Sequence, residues 1–120
     1  MRTILIDPAD PAGCDVSHAA PERLLSGNPR RDTFNRVESP LGSARASYAG
    51  VWRSEVGHWK IAMGDTEQEV FTVLSGRCRV HDAEGGFHEV GPGQALFIPP
   101  GFIGSFEVLE PLTKTYVICE

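Results

Sequence analysis

Glu69 stands in an apolar setting, beside Val70, Phe71 and Val73. A carboxylate there is costly unless it is paired or hydrogen-bonded. Such a glutamate can bind an amine or serve as a general acid or base. It can equally be one half of an ion pair with Lys114 or Arg53. Strand alternation puts Glu69, Phe71 and Val73 on one face and Val70, Thr72 and Leu74 on the other. Lys114 and Tyr116, two apart, also share a face, and together they can hold a carboxylate or another anion. The alternative for that row is a solvent-facing sheet surface. Trp52 and Trp59 can wall a pocket or fill the core, because aromatic rings bury large areas in either role.

Two histidines offer a second kind of chemistry. A turn centred on Glu84-Gly85 pairs His81 with His88 and Asp82 with Phe87, which sets the two imidazoles on one side with Cβ atoms ~5 Å apart. With a carboxylate they make a metal site; without one they are an exposed polar hairpin face that also carries Arg79. Cys78 lies in an apolar strand pattern, with Arg77 and Arg79 pointing to the opposite face. Nothing activates its thiol, and a buried small hydrophobe is the expected role. The three cysteines, Cys14, Cys78 and Cys119, have no Cys-x-x-Cys spacing, which reads as reduced thiols. No Gly-x-Ser-x-Gly elbow, phosphate loop or dinucleotide fingerprint occurs.

The elements that must position these groups are short strands. Candidates are Ser47–Glu55, His58–Met63, Glu69–Leu74, Arg77–Asp82, Gly86–Val90, Ala95–Ile98, Gly104–Leu109 and Thr113–Cys119. Turn signals separate them at Gly57, Gly64-Asp65, Ser75-Gly76, Glu84-Gly85-Gly86, Gly91-Pro92-Gly93, Pro99-Pro100-Gly101 and Glu110-Pro111. Regular short strands without intervening helices predict an antiparallel sandwich or barrel, and eight strands in a double sheet is the jelly-roll number. Residues 1–46 differ: they are rich in Pro, Gly, Ser, Asp and Arg, with little periodicity. A short strand at Thr3–Ile6 and one or two helical turns over Ala19–Ser26, ended at Gly27, are expected there. The rest reads as an irregular arm packing on the barrel of residues 47–120 or on a partner subunit.

Charge narrows the partners. The net charge is −5. Residues 1–46 carry six basic and six acidic side chains, and residues 47–120 five basic and ten acidic, so the second part supplies all of it. An acidic barrel excludes a nucleic-acid surface, which needs a basic patch. Arg30-Arg31 with Arg36 is the one local basic cluster; it can bind an anion, but a solvated surface is its expected fate. No apolar run is long enough for a membrane span. The opening MRTILIDPADPAG has too few basic and apolar residues for a secretory signal, so a cytoplasmic protein is expected.

The segments EVFTVLSG (Glu69 to Gly76) and GPGQALFIPPGFIG (Gly91 to Gly104), with AGVW (Ala49 to Trp52) and KTYVI (Lys114 to Ile118), carry a resemblance. Residues 49–120 resemble the small single-domain cupins related to the ureidoglycine aminohydrolase cupin domain. The resemblance implies an all-β, RmlC-like jelly-roll barrel and a homodimer. Metal-binding cupins also carry three histidines in these motifs. Here those places fall among Ala62, Met63, Gly64 and Asp65 and on Gly104; only Asp65 could ligate, and His58 is too far back without a register shift. The expectation is therefore no metal and no cofactor at the usual cupin position. The chain departs further, with Gly93-Gln94 where glycine-aspartate is usual, Phe106 where tryptophan is usual, and Arg53 where a glutamate usually follows the tryptophan. If Arg53 lines the pocket, that reversed charge changes the ligand.

The expected function is a metal-independent pocket that binds a small polar molecule through Glu69, Lys114, Tyr116 and Arg53, with Trp52 as an apolar wall. Two alternatives stand beside it. One is an enzyme acting on ureido or amino-acid-like compounds, as the resemblance implies. The other is a structural or interaction protein with a vestigial pocket.

Overall fold

The computed structural model describes residues 2–41 and 45–120. Among them are nine strands: β1 (Asp15–Ser17), β2 (Leu24–Ser26), β3 (Arg31–Leu41), β4 (Arg45–Ser54), β5 (Gly57–Ala62), β6 (Gln68–Asp82), β7 (Phe87–Val90), β8 (Ala95–Ile98) and β9 (Ile103–Cys119). A single 3-10 turn, Pro21–Arg23, precedes β2. No helix among the described residues is long and apolar enough to cross a membrane.

Two long strands build the barrel. The C-terminal half of β9 lies between β4 and β6, with Val51 and Phe71 opposite Thr115 and Tyr116. Its N-terminal half lies between β5 and β6, where Trp59 and Val80 both sit opposite Phe106. β6 is shared in the same way, pairing first with β8 and then with β7. One sheet is therefore β1-β3-β4-β9-β6-β8 and the other β2-β5-β9-β6-β7, all antiparallel. Two facing sheets that share strands are the expected jelly-roll barrel.

Ser75-Gly76 and Glu110-Pro111, which read as turns, are instead bends inside β6 and β9. The ladder continues across them because Arg77 still faces Glu110. Register shifts between Val73 and Cys78 change the phase of β6. Phe71 and Val73 are buried before the bend, and Cys78 and Val80 after it. A bulge that re-aims a strand does this. Gly76 allows it: its φ is +84°, and a Cβ there would fall on the Pro111 carbonyl oxygen.

The N-terminal segment is more regular than its composition suggests. Thr3–Ile6 forms no strand. Ala19–Ser26 gives only the 3-10 turn and then β2. Residues 31–41, by contrast, pair along β4 from Arg31 opposite Ser54 to Leu41 opposite Arg45. Composition hid this strand because both of its faces are polar, and the inward face lines a cavity rather than the core.

The hairpin register also differs from expectation. His81 sits opposite Phe87 and Val80 opposite His88, so His81 and His88 lie on opposite faces. The Asp82 N–H donates to the Gly86 carbonyl at 2.9 Å, and Asp82 Oδ1 accepts from the Glu84 and Gly86 N–H groups at 2.8 and 2.9 Å. These bonds close a longer loop with Gly85 at φ +92°, the geometry of a three-residue hairpin loop ending in a left-handed glycine.

Candidate functional site

Between the two sheets lies a cavity of about 470 Å³ that opens to solvent. β3 contributes Arg31, Thr33, Asn35 and Glu38, β4 contributes Tyr48 and Trp52, and β9 contributes Phe106, Lys114, Tyr116 and Ile118. Glu69 of β6, Trp59 and Ile61 of β5, and Asp15 of β1 complete most of the wall. Alternation explains the choice. On β9 the even-numbered residues face inward; on β3 the odd ones do until a register shift between Asn35 and Val37 brings in Glu38.

At one end of the cavity, Lys114 Nζ donates to Glu69 Oε2 at 2.9 Å, with side chains only 7% and 13% exposed. The same ammonium lies 4.2 Å from the Phe71 ring centre, 4.6 Å from Trp52 and 4.8 Å from Phe106. A carboxylate and three ring faces thus replace its hydration, and a desolvated cation–π contact contributes up to about 2 kcal/mol. Next along β9, the Tyr116 hydroxyl donates to Asn35 Oδ1 at 2.8 Å. Burial, and then the charges of Glu69 and Asp15, push the Tyr116 phenol up to about 12. It stays a neutral donor at any ordinary pH.

Arg31 is the other cation of the cavity. Its guanidinium lies 5.2 Å from the Trp59 ring centre, and its Nε is buried with no hydrogen-bond partner among the described residues. It makes no salt bridge among the described residues. Burial lowers its pKa from the ordinary value, yet a guanidinium remains charged in proteins.

Glu69, Lys114, Tyr116 and Trp52 therefore meet in one cavity, and Glu69 takes Lys114 as its partner. Arg53 is a correction. It follows the inward Trp52 on β4, so it faces outward, donates to the Pro8 carbonyl at 2.8 Å and lies over the Phe34 ring. Asn35, Asp15 and Glu38 went unrecognised in the sequence, and Arg31 was read only as part of a basic cluster whose favoured fate was a solvated surface. The one signal that could have found them is the polar alternation Arg31, Thr33, Asn35. The Arg30-Arg31-Arg36 cluster disperses: Arg30 pairs with Asp32 at 2.8 Å, Arg36 is exposed, and only Arg31 turns inward. Cys78 is fully buried, and burial above all pushes its thiol up to about 11, which leaves it unreactive as a nucleophile.

The donor set does not fit the usual cupin metal. A Cβ at Gly104, where the third histidine belongs, would run into the His81 carbonyl oxygen and lie 2.8 Å from the Phe102 ring. Asp65 is exposed in a turn. Glu69 already holds a cation, the Lys114 ammonium. No imidazole lines the cavity among the described residues.

Residues 41–116 match the family of EutQ-like cupin domains. The chain belongs to that family. A DUF861-family protein of unknown function from Pseudomonas syringae pv. tomato superposes with a TM-score of 0.75 at 21% identity, over 91% of this chain and 46% of the other. The chain thus spans less than half of that relative's length. A putative ethanolamine utilization protein Q from Salmonella typhimurium gives 0.58 at 14% identity, over 88% of this cupin and 94% of its own chain. A DUF861-family protein from Thermotoga maritima gives 0.50 at 29% identity, over 55% and 73%. No curated protein matches. At the first two identities the likeness shows the fold alone. The common ground of these matches is a cupin family and its barrel.

Proposed function

We propose that the barrel cavity binds a small metabolite bearing a carboxylate, without the help of a metal. The observation that carries this reading is Arg31, a guanidinium facing the cavity with a buried Nε that has no partner among the described residues. Leaving a buried charged donor unsatisfied costs about 1–3 kcal/mol or more. A ligand carboxylate would remove that cost through a charge-assisted, two-pronged bond. Asp15 and Glu38 line the same space and would accept from amine or amide protons. Ureido and amino-acid-like compounds present both groups, the class implied by the resemblance to ureidoglycine aminohydrolases. The ethanolamine of the relative's name offers an amine but no anionic group for Arg31. Glu69, engaged by Lys114, serves to fix the ammonium rather than to move protons, so the reading is of a binding or sensing protein in the cytoplasm.

The test is a thermal-shift series with small carboxylates, ureido acids, amino acids and ethanolamine. The melting temperature should rise with the logarithm of acid concentration, and the response should vanish in Arg31→Gln. The reading is lost if ethanolamine or neutral ureas stabilise as well as acids do, or if Arg31→Gln keeps the full response. A homodimer belongs to the same proposal. Its support is an exposed apolar row, Phe97, Val70 and Val117, across β8, β6 and β9, and the mass in solution by light scattering checks it.

A further inference from the structure

We infer that the outer face of the second sheet carries a site for a divalent transition metal of the zinc class, formed by His58, His81 and Glu107. The site is separate from the barrel cavity. Trp59, Val80 and Phe106, each a chain neighbour of one of the three, are buried inward, so alternation turns the three outward. They sit on adjacent strands β5, β9 and β6, with His58 directly opposite Glu107 and His81 opposite Ser105. Sheet register, and not sequence proximity, brings them together.

The imidazole centres are 5.0 Å apart. His81 Nε2 donates to Glu107 Oε1 at 2.9 Å, and His58 Nε2 shares a 2.7 Å hydrogen bond with Ser105 Oγ. One ligand atom from each of the three lies within 4.8 Å of the others. A tetrahedral zinc with bonds of 2.0–2.1 Å holds its ligand atoms roughly 3.3 Å apart. One pair is already slightly closer than that, and the widest separation need shrink by only about 1.5 Å, which side-chain rotation supplies on a fixed sheet. Two imidazoles and a carboxylate form a three-ligand set that leaves a fourth position for water. Imidazole also favours zinc, copper, nickel or iron over magnesium or calcium. His81 and Glu107 are 27% and 28% exposed, so the ion can enter from solvent. Ser105 is placed to orient the His58 ring, as outer partners of ligating histidines do. The Phe87 ring, 5.3 Å from His81, covers one side.

The inference does not depend on the cavity reading, and the experiment keeps them apart. The chain, stripped with a chelator and dialysed, is titrated with zinc chloride by calorimetry. One zinc per chain is expected. His58→Gln and His81→Gln should each weaken binding by more than the roughly 10- to 100-fold that loss of an outer partner costs. His88→Gln and His18→Gln should bind as the parent does. In the unaltered protein, cobalt(II) should shift and broaden the imidazole proton resonances of His58 and His81 far more than those of His88, on the strand beside His81, and of His18, which decides the matter even if a variant fails to fold. Absence of stoichiometric zinc, zinc binding retained in the His58→Gln/His81→Gln double variant, or cobalt shifts confined to His18 and His88 would each overturn the site and leave a hydrogen-bonded cluster only.

Discussion

Lys114 reaches past the ring of Phe71 to place its ammonium 2.9 Å from the carboxylate of Glu69, on the neighbouring strand. Both side chains are nearly buried, and desolvating two charges largely cancels their attraction. The pair is therefore weak as a stabiliser, but breaking it is expensive because one charge is left alone. Lys114→Met should cost about 3–5 kcal/mol. The double variant Glu69→Leu/Lys114→Met should recover most of that loss in urea melts. Non-additivity of this size in a double-mutant cycle checks the coupling. A single-variant cost below ~1 kcal/mol would show that the pair is solvated.

The Tyr116 phenol gives a pH dependence with a definite sign. Its folded-state value, about 12, lies above the ordinary value of 10.0. The folded protein therefore holds this proton more tightly than the unfolded chain does. The resulting stability is fully present below pH 10 and is lost as the pH rises to about 12. Urea midpoints measured across this range should fall, and Tyr116→Phe should flatten the fall. At neutral pH that variant should lose about 1 kcal/mol, because Asn35 Oδ1 loses its donor.

Thiol reactivity should separate the cysteines. Cys14 is exposed and Cys78 fully buried, with the Cys78 thiol raised to about 11. In native protein at pH 8 a disulfide reagent should titrate Cys14 quickly. Cys78 should react only at the rate of unfolding, so its rate should rise with denaturant in step with the loss of structure. Fast native labelling of Cys78, read by peptide mass, would contradict the burial argument.

Two glycines with the same backbone angle should differ in cost. Gly76 and Gly93 both have φ of +84°. A Cβ at Gly93 meets nothing within 4 Å, whereas at Gly76 it falls on the Pro111 carbonyl. Gly93→Ala should therefore cost only the left-handed backbone term, about 1–2 kcal/mol. Gly76→Ala should cost distinctly more, because the bend of β6 must also move away from β9. Equal denaturation midpoints would mean that the bend is soft.

Strand alternation and turn residues were enough to lay out the barrel and half of its pocket. Alternation is a local property, so the shared face of Glu69, Phe71 and Val73, and that of Lys114 and Tyr116, could be read without knowing any partner. The turn role of Gly93 could be read in the same way, because positive φ is a demand of the residue's own backbone. Tertiary structure decided the remainder. Arg31 and Asn35 sit on a strand polar on both faces, so no pattern said which side entered the cavity. Only pairing with β4 settles that Arg31 faces in and Arg53 out. The bulge near Gly76 reverses the phase of β6 after Val73 and so sends His81 to the outer face. There it meets His58 and Glu107 from strands distant in the chain. A one-residue change of register exchanges every inward side chain for an outward one. Such a change depends on which backbone lies alongside, whereas the His81 and His88 pairing failed for a local reason, the three-residue loop closed by Asp82 and Gly86 that sets His81 opposite Phe87.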